Sequence, residues 1–209
     1  MKYNGFLSYS HAADDALAPA LQSALHRLAR PWYQMRALRI FRDKTTLAAS
    51  PELWPAIVAA LEEAEFFLLL ASPPAARSRW VQREIDWWLS HRSLTKLLIL
   101  LTDGDLVWDE ATCDFDWGRT NALPADLLTG RFASEPLWVD LRWAKSAETM
   151  TLRHAGFRLA VLDIAAPLST TSSEAWPNAS SLLREFPRTI IGSMVDSFVH
   201  RAKASIHGI

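Results

Sequence analysis

Cysteine is almost missing from this chain of 209 residues: Cys113 stands alone. That excludes an internal disulfide framework and any cysteine-built zinc site, and suits a reducing compartment. An excess of charge of one sign is missing too. The formal net charge is −1, so there is no broad basic field to neutralise phosphates, and nucleic acid is not expected as a partner. No apolar run approaches the roughly 18 to 20 residues that a spanning helix needs, and the N-terminus enters an apolar stretch without a signal-peptide pattern. No transmembrane segment is therefore expected, and the cytoplasm is the expected location. The six histidines lie far apart with no i, i+4 pair, so no metal is expected. Neither G-x-G-x-x-G nor G-x-x-x-x-G-K-[ST] occurs. The acidic run Asp103, Asp105, Asp109, Glu110, Asp114 and Asp116 has Trp108 where an EF-hand loop requires glycine, and reads as a solvated loop.

What is there is core-forming sequence. Half the residues are hydrophobic and 22% are charged, enough to fold one compact domain with a sizeable core. Short apolar runs alternate with helical patterns. "GFLSYS" (5–10), "ALRIF" (37–41), "EFFLLLAS" (65–72), "KLLILL" (96–101) and "PLWVDLRW" (136–143) read as strands. The middle ones are continuous enough to be buried on both faces, which implies a parallel sheet. "DDALAPALQSALHRLA" (14–29) and "PELWPAIVAALEEA" (51–64) read as helices, the second opened by Ser50 as N-cap and Pro51 at the first helical position. Residues 103–135 read as irregular connection with one short helix, and residues 153–168 as a last amphipathic helix. At 169–181 the composition turns to that of a linker, and from Pro187 apolar residues at i, i+4, i+8 spacing predict a C-terminal amphipathic helix. The domain division is thus 1–168 and 169–209.

Strands alternating with helices give an α/β fold, a doubly wound, flavodoxin-like five-stranded parallel sheet of order 2-1-3-4-5 with helices on both faces. Ligands of such sheets bind beyond the carboxyl ends of the strands where the order reverses, here between strands 1 and 3. Strand 1 ends at Ser8, Tyr9 and Ser10, strand 3 ends at Ser72, and the next helix begins near Ser78 in "SRWVQREIDWW" (78–88). Helical spacing puts Trp80, Glu84, Trp87 and His91 in one stripe beside an apolar face of Val81, Ile85, Trp88 and Leu89. Two readings of Glu84 stay open on this ground. It is either a solvated carboxylate favoured by the helix dipole or a carboxylate held against an aromatic wall at the ligand crevice.

"GFLSYSHAADD", "IFRDKTTLAASPELWPAIVAAL" and "LLLASPPAARSRWVQREIDWWL", in that order, resemble three blocks of the Toll/interleukin-1 receptor (TIR) domain family, particularly its bacterial members. The resemblance is strong over residues 3–105, and "EPLWVDLRWA" with "FRLAVLDIAAPL" resembles the end of such modules. It implies an NAD+ nucleosidase, because members with a glutamate at the position of Glu84 cleave the nicotinamide–ribose bond of NAD+, giving ADP-ribose or a cyclised form. It equally leaves a second reading, since receptor and adaptor members are non-enzymatic scaffolds for TIR–TIR assembly. NAD+ would be substrate, and no cofactor is expected. Bacterial members commonly serve anti-phage defence, in some cases under a sensor domain or protein.

One carboxylate suffices for that chemistry. Ordinary glycosidases need two, one of them to protonate the leaving oxygen. Nicotinamide leaves a cationic ring nitrogen as a neutral molecule, so only the growing positive charge on the ribose needs support, which Glu84 would give. Trp80 would offer a flat surface to ribose or nicotinamide. Ser8, Ser10, Phe6 and Ser72 lie where hydroxyls and an aromatic face would meet substrate, though alternation also suits Phe6 to the core. After strand 2, Arg42, Asp43 and Lys44 would meet phosphate or ribose hydroxyls, or are a charged solvent loop. The resemblance favours Asp43. It also implies that Arg42, Asp43, Lys44, Thr45, Thr46 and Leu47 form an assembly loop, through which copies self-associate head to tail, with filaments as one outcome.

Overall fold

The computed structural model describes residues 1–28, 38–42 and 53–169. The loop from Asp43 to Leu47, the Ser50–Pro51 cap and the expected C-terminal helix therefore lie outside the described residues.

Five strands build one parallel sheet: β1 (Tyr3–Ser8), β2 (Ile40–Arg42), β3 (Ala64–Ala71), β4 (Leu97–Leu101) and, after a small two-stranded hairpin of β5 (Trp108–Asp109) and β6 (Asp114–Phe115), β7 (Trp138–Asp140). The strand order is β2-β1-β3-β4-β7, every pairing parallel. This is the flavodoxin-like order expected, with β7 as the fifth strand. β3 is buried along its length except at Glu65, as befits a central strand covered on both sides. Gly5 in β1 leaves its space to neighbours, since a Cβ there would run into the Leu68 side chain.

Period-two alternation divides the core. Leu7, Leu68, Leu70 and Leu100 face α2 (Leu17–Leu28) and α7 (Ala155–Ser169), whereas Phe6, Phe67, Leu69 and Ile99 face α3 (Leu53–Glu63) and α5 (Arg79–His91). Each fully buried leucine or phenylalanine contributes about 1.5–3 kcal/mol, and Phe6, Phe67, Phe157 and Trp88 are among the large side chains that are fully buried. The two faces together are what hold the sheet.

Two short helices and a hairpin depart from the expectation. α1 (His11–Asp14) ends β1 at Ser8 rather than Ser10, because the Ser10 carbonyl already accepts the Ala13 and Asp14 N–H groups at 3.0 and 2.9 Å. α4 (Pro73–Arg77) intervenes before α5. The connection 103–135, expected to hold one short helix, holds α6 (Ala125–Leu128) and also the β5–β6 hairpin. β2 is displaced to Ile40–Arg42, so Arg42, expected in the loop, is the last residue of the strand and is paired with Leu7.

Candidate active site

β1 and β3 leave the sheet at the point where its order reverses, and both exits are serine-rich. Ser8 is the last residue of β1, facing the same way as Phe6. Ser72 follows β3 and caps α4, its Oγ accepting the Ala75 N–H at 3.3 Å. Ser78 then joins two helices. Its own N–H donates to the Ala75 carbonyl at 3.0 Å to end α4, while its Oγ accepts the Val81 N–H at 3.5 Å to begin α5.

That joint sets the rotation of α5. Val81, Ile85 and Trp88 enter the core, and Glu84, one position from Ile85, goes in with them. The carboxylate is 3% exposed, deeper than the edge position that periodicity implied. Ser8 meets it there, the Ser8 hydroxyl donating to Glu84 Oε2 at 2.5 Å across 76 residues of sequence. That length belongs to the short range of hydroxyl-to-carboxylate bonds. The solvated-residue reading of Glu84 therefore fails, since the side chain is inside and held by a second element.

The other expected site residues fall in several places. Trp80, one turn before Glu84, is 45% exposed. Phe6 is wholly buried, stacked between Phe41 and Phe67 at centroid distances of 5.4 and 5.7 Å, which is the core position that alternation suited it to. Ser10 is buried at the start of α1 with no hydrogen bond from its side chain to the helix backbone. Arg42 is tied back into the domain, Nη1 donating to the Tyr9 hydroxyl at 2.9 Å and Nε to Gln22 Oε1 at 3.1 Å. Gln22 in turn donates to the Ile40 carbonyl at 2.9 Å. Asp43, Lys44, Thr45, Thr46 and Leu47 lie outside the described residues.

One acid at the same sheet edge was missed. Asp14 in α1 is as buried as Glu84, but its Oδ2 has no hydrogen-bond partner among the described residues. It lines a cavity of about 70 Å³ with Ala13, Leu17, Thr102, Lys145 and Met150. Burial pushes its carboxyl up to about 6; the Thr102 hydroxyl, the Lys145 ammonium and the Ser72 hydroxyl pull downward, and the Asp103 charge adds to the rise. In sequence Asp14 and Asp15 are equivalent first-turn acids, and only the tertiary fold tells them apart.

The acidic run takes another role than expected of a merely solvated loop. Asp109 accepts the Ala111 N–H at 3.0 Å, and Asp116 accepts that of Gly118 at 3.0 Å. At Asp114, desolvation works toward a raised value but is outweighed by hydrogen bonds from the Trp117 indole and the Gly130 and Phe115 N–H groups, which hold the carboxyl below its usual range. These acids tie the turns of the hairpin region.

The profile of the family described as "TIR domain" matches residues 6–155. The chain belongs to the TIR domain family. A curated relative, "NAD(+) hydrolase ApTIR" of Actinoplanes sp., is 51% identical over 174 residues, covering 83% of this chain and 24% of that protein. This TIR chain thus spans about a quarter of the length of the relative. Among solved structures it is similar to the TIR domains of the activated Roq1 resistosome recognising the effector XopQ, at TM-score 0.39 and 16% identity, covering 78% of this chain and 84% of that one. It is also similar to the flavodiiron core Flv1 of Synechocystis sp. PCC6803, at TM-score 0.46 and 15% identity, with 82% and 37% coverage.

Proposed function

We propose that this TIR domain is an NAD+ nucleosidase that breaks the nicotinamide–ribose bond, with Glu84 as the group that stabilises the reacting ribose. The observation that carries the reading is the placement of Glu84: a carboxylate buried at the switch point of the sheet and held by the Ser8 hydroxyl at 2.5 Å. The relative that is 51% identical, named an NAD(+) hydrolase, supports the same conclusion.

The chemistry comes from the charge. As the bond from C1′ of the ribose to the pyridinium nitrogen lengthens, its electron pair goes to the nitrogen and the sugar acquires oxocarbenium character. Nicotinamide leaves neutral, so no proton donor is needed. A carboxylate fixed beside C1′ and shielded from water stabilises that cation more than it stabilises the ground state. Water then adds its oxygen to C1′ and releases a proton to give ADP-ribose, or a group of the adenine adds instead to give a cyclised product. Ser8 keeps the carboxylate aimed before substrate arrives, and the exposed face of Trp80 offers the flat surface against which the ribose or nicotinamide packs. Ser10 and Ser72, at the exits of β1 and β3, would meet the ribose hydroxyls, and Asp43 with Lys44 would meet the phosphates or the second ribose.

Because Glu84 is only 3% exposed, substrate reaches it only when the groups covering it move. Self-association of TIR domains through the segment that begins at Arg42 supplies a reason for that movement, and completes the wall of the site from a second copy. Such heterologous contacts tend to open filaments. The setting that fits is a cytoplasmic bacterial defence response in which a sensor, in the same protein or another, drives assembly and NAD+ is consumed.

The test is nicotinamide release from NAD+ by the purified chain over a wide dilution series, with the ADP-ribose products separated by chromatography. Release with specific activity rising with protein concentration is expected. Assembly without release would favour the scaffold reading. Release at constant specific activity by a monomer would leave Glu84 at work within one chain and remove the shared site.

A further inference from the structure

Beside Glu84 the first two turns of α5 carry a feature that the proposed reaction does not use. Arg83 lays its guanidinium over the Trp54 ring, with Cζ 3.7 Å from the ring centroid, and lies 5.9 Å from the centroid of Trp80. The two indoles are 6.3 Å apart and inclined by 40°. Trp54 belongs to the first turn of α3, Trp80 and Arg83 to α5. A cation laid on Trp54 and flanking Trp80 thus links the start of one helix to the start of the other.

Geometry makes this more than surface decoration. Trp80 is 45% exposed, and an indole so exposed has several rotamers open to it unless neighbours remove them. Trp80 and Arg83 are three residues apart on α5 and therefore neighbours on its surface. The guanidinium is flat and stacks, which an ammonium does not do. Glu84 is the next residue, so whatever fixes Arg83 acts within one turn of the candidate catalytic carboxylate.

We propose that Arg83 is a positioning residue: stacked on Trp54, it holds the plane of Trp80 at the mouth of the Glu84 site in the orientation that receives substrate. This rests on the reading of Trp80 as the substrate-facing wall. Arg83 need not touch substrate, and its removal is felt in substrate capture rather than in bond breaking. α3 takes part through Trp54, so the first turn of that helix is connected to the site by this contact.

Two measurements test it, and only one depends on NAD+ cleavage. The first is the far-ultraviolet exciton couplet of the Trp54–Trp80 pair, taken as the difference between the native chain and Trp54→Phe. Arg83→Met should weaken this couplet, and Arg83→Lys should weaken it less, since charge is kept but the plane is lost. The second is steady-state kinetics. Arg83→Met should raise KM for NAD+ by about two- to fivefold, the size of one exposed cation–π contact, with kcat nearly unchanged and partial rescue in Arg83→Lys. An unchanged couplet, or a fall in kcat at constant KM, overturns the proposal. If the native chain releases no nicotinamide, the nucleosidase reading is what fails, and the couplet alone then decides whether Arg83 orients Trp80.

Discussion

On the face of the sheet covered by α3 and α5, Glu84 is buried and accepts a short hydrogen bond from Ser8. On the face covered by α2 and α7, Asp14 is buried to the same depth and leaves Oδ2 without a partner among the described residues, beside a cavity of about 70 Å³. Both stand near the carboxyl ends of the central strands. The difference lies in how each charge is received. Glu84 is fixed by a hydroxyl from a different element, the condition under which a charge can be aimed at a reacting atom. Asp14 is penalised by its surroundings, and Lys145, Thr102 and Ser72 offset only part of that penalty. The two acids are thus equally deep, and they differ in that Glu84 takes a short bond from a strand-end hydroxyl whereas Asp14 keeps one oxygen unmatched among the described residues and borders a cavity.

Neutralising each acid in turn should separate them most. Glu84→Gln keeps the size and should lower NAD+ cleavage by about 10², near 3 kcal/mol, with the fold intact by circular dichroism. Asp14→Asn should leave cleavage within a few-fold. If the two variants exchanged these outcomes, the assignment of Glu84 would be lost.

Stability should separate them in the opposite direction. The folded value of Asp14 is about 6, above the roughly 3.9 of an unfolded chain. The fold therefore favours the protonated acid, and the associated stability is fully present below about pH 4 and lost as pH rises through 6. Asp14→Asn should accordingly raise the melting temperature at pH 7.5, by at most about 3 kcal/mol of stability, and change it little at pH 4. A variant less stable than the native chain at pH 7.5 would mean that the charge is used.

Smaller effects refine the picture. Ser8→Ala removes the hydroxyl that faces Glu84 and should lower stability by about 1 kcal/mol at neutral pH, the usual net contribution of one hydrogen bond. It should also slow cleavage less than Glu84→Gln does. Calorimetry and nicotinamide release on the same preparation check both. Lys145→Met is expected to move least, since Lys145 is an exposed residue: a loss under about 1 kcal/mol at pH 7.5, smaller at pH 4 and weakened by salt. An equal loss at both pH values would mean that Lys145 matters through its 2.8 Å bond to the Thr102 carbonyl rather than through Asp14.

Much of the fold, and the place of the candidate site within it, could be read from the residues, and the physical reasons for what could and could not be read are specific. β3 and β4 are continuous apolar runs, and α5 shows its buried stripe plainly, so Glu84 and Trp80 were placed on the right helix at the right edge of the sheet. Ser8 was found as a strand-end hydroxyl, but its bond to Glu84 spans 76 residues and has no local signature. α4 escaped because "PPAAR" reads as a break, when Pro73 is a proline at the first helical position behind the Ser72 cap. The β5–β6 hairpin escaped because two-residue strands carry no period. Asp14 has no local signature because the groups around it, Ser72, Thr102, Lys145 and Met150, come from segments distant in sequence.

Ser78 ends one helix and starts the next with no residue between, so the chain has no slack at the point from which Glu84 is measured. Each added residue on an α-helix turns the later side chains by about 100° and advances them about 1.5 Å. One residue gained or lost between Ser78 and Glu84 would thus swing another side chain into the space beside Ser8 and send the carboxylate elsewhere, while the apolar stripe of Val81, Ile85 and Trp88 would lose its register with the sheet at the same time. The joint acts as a ruler. Change in this stretch is confined to substitution, and length variation among proteins that keep this site should be found on either side of the segment from Ser72 to Trp88, not inside it.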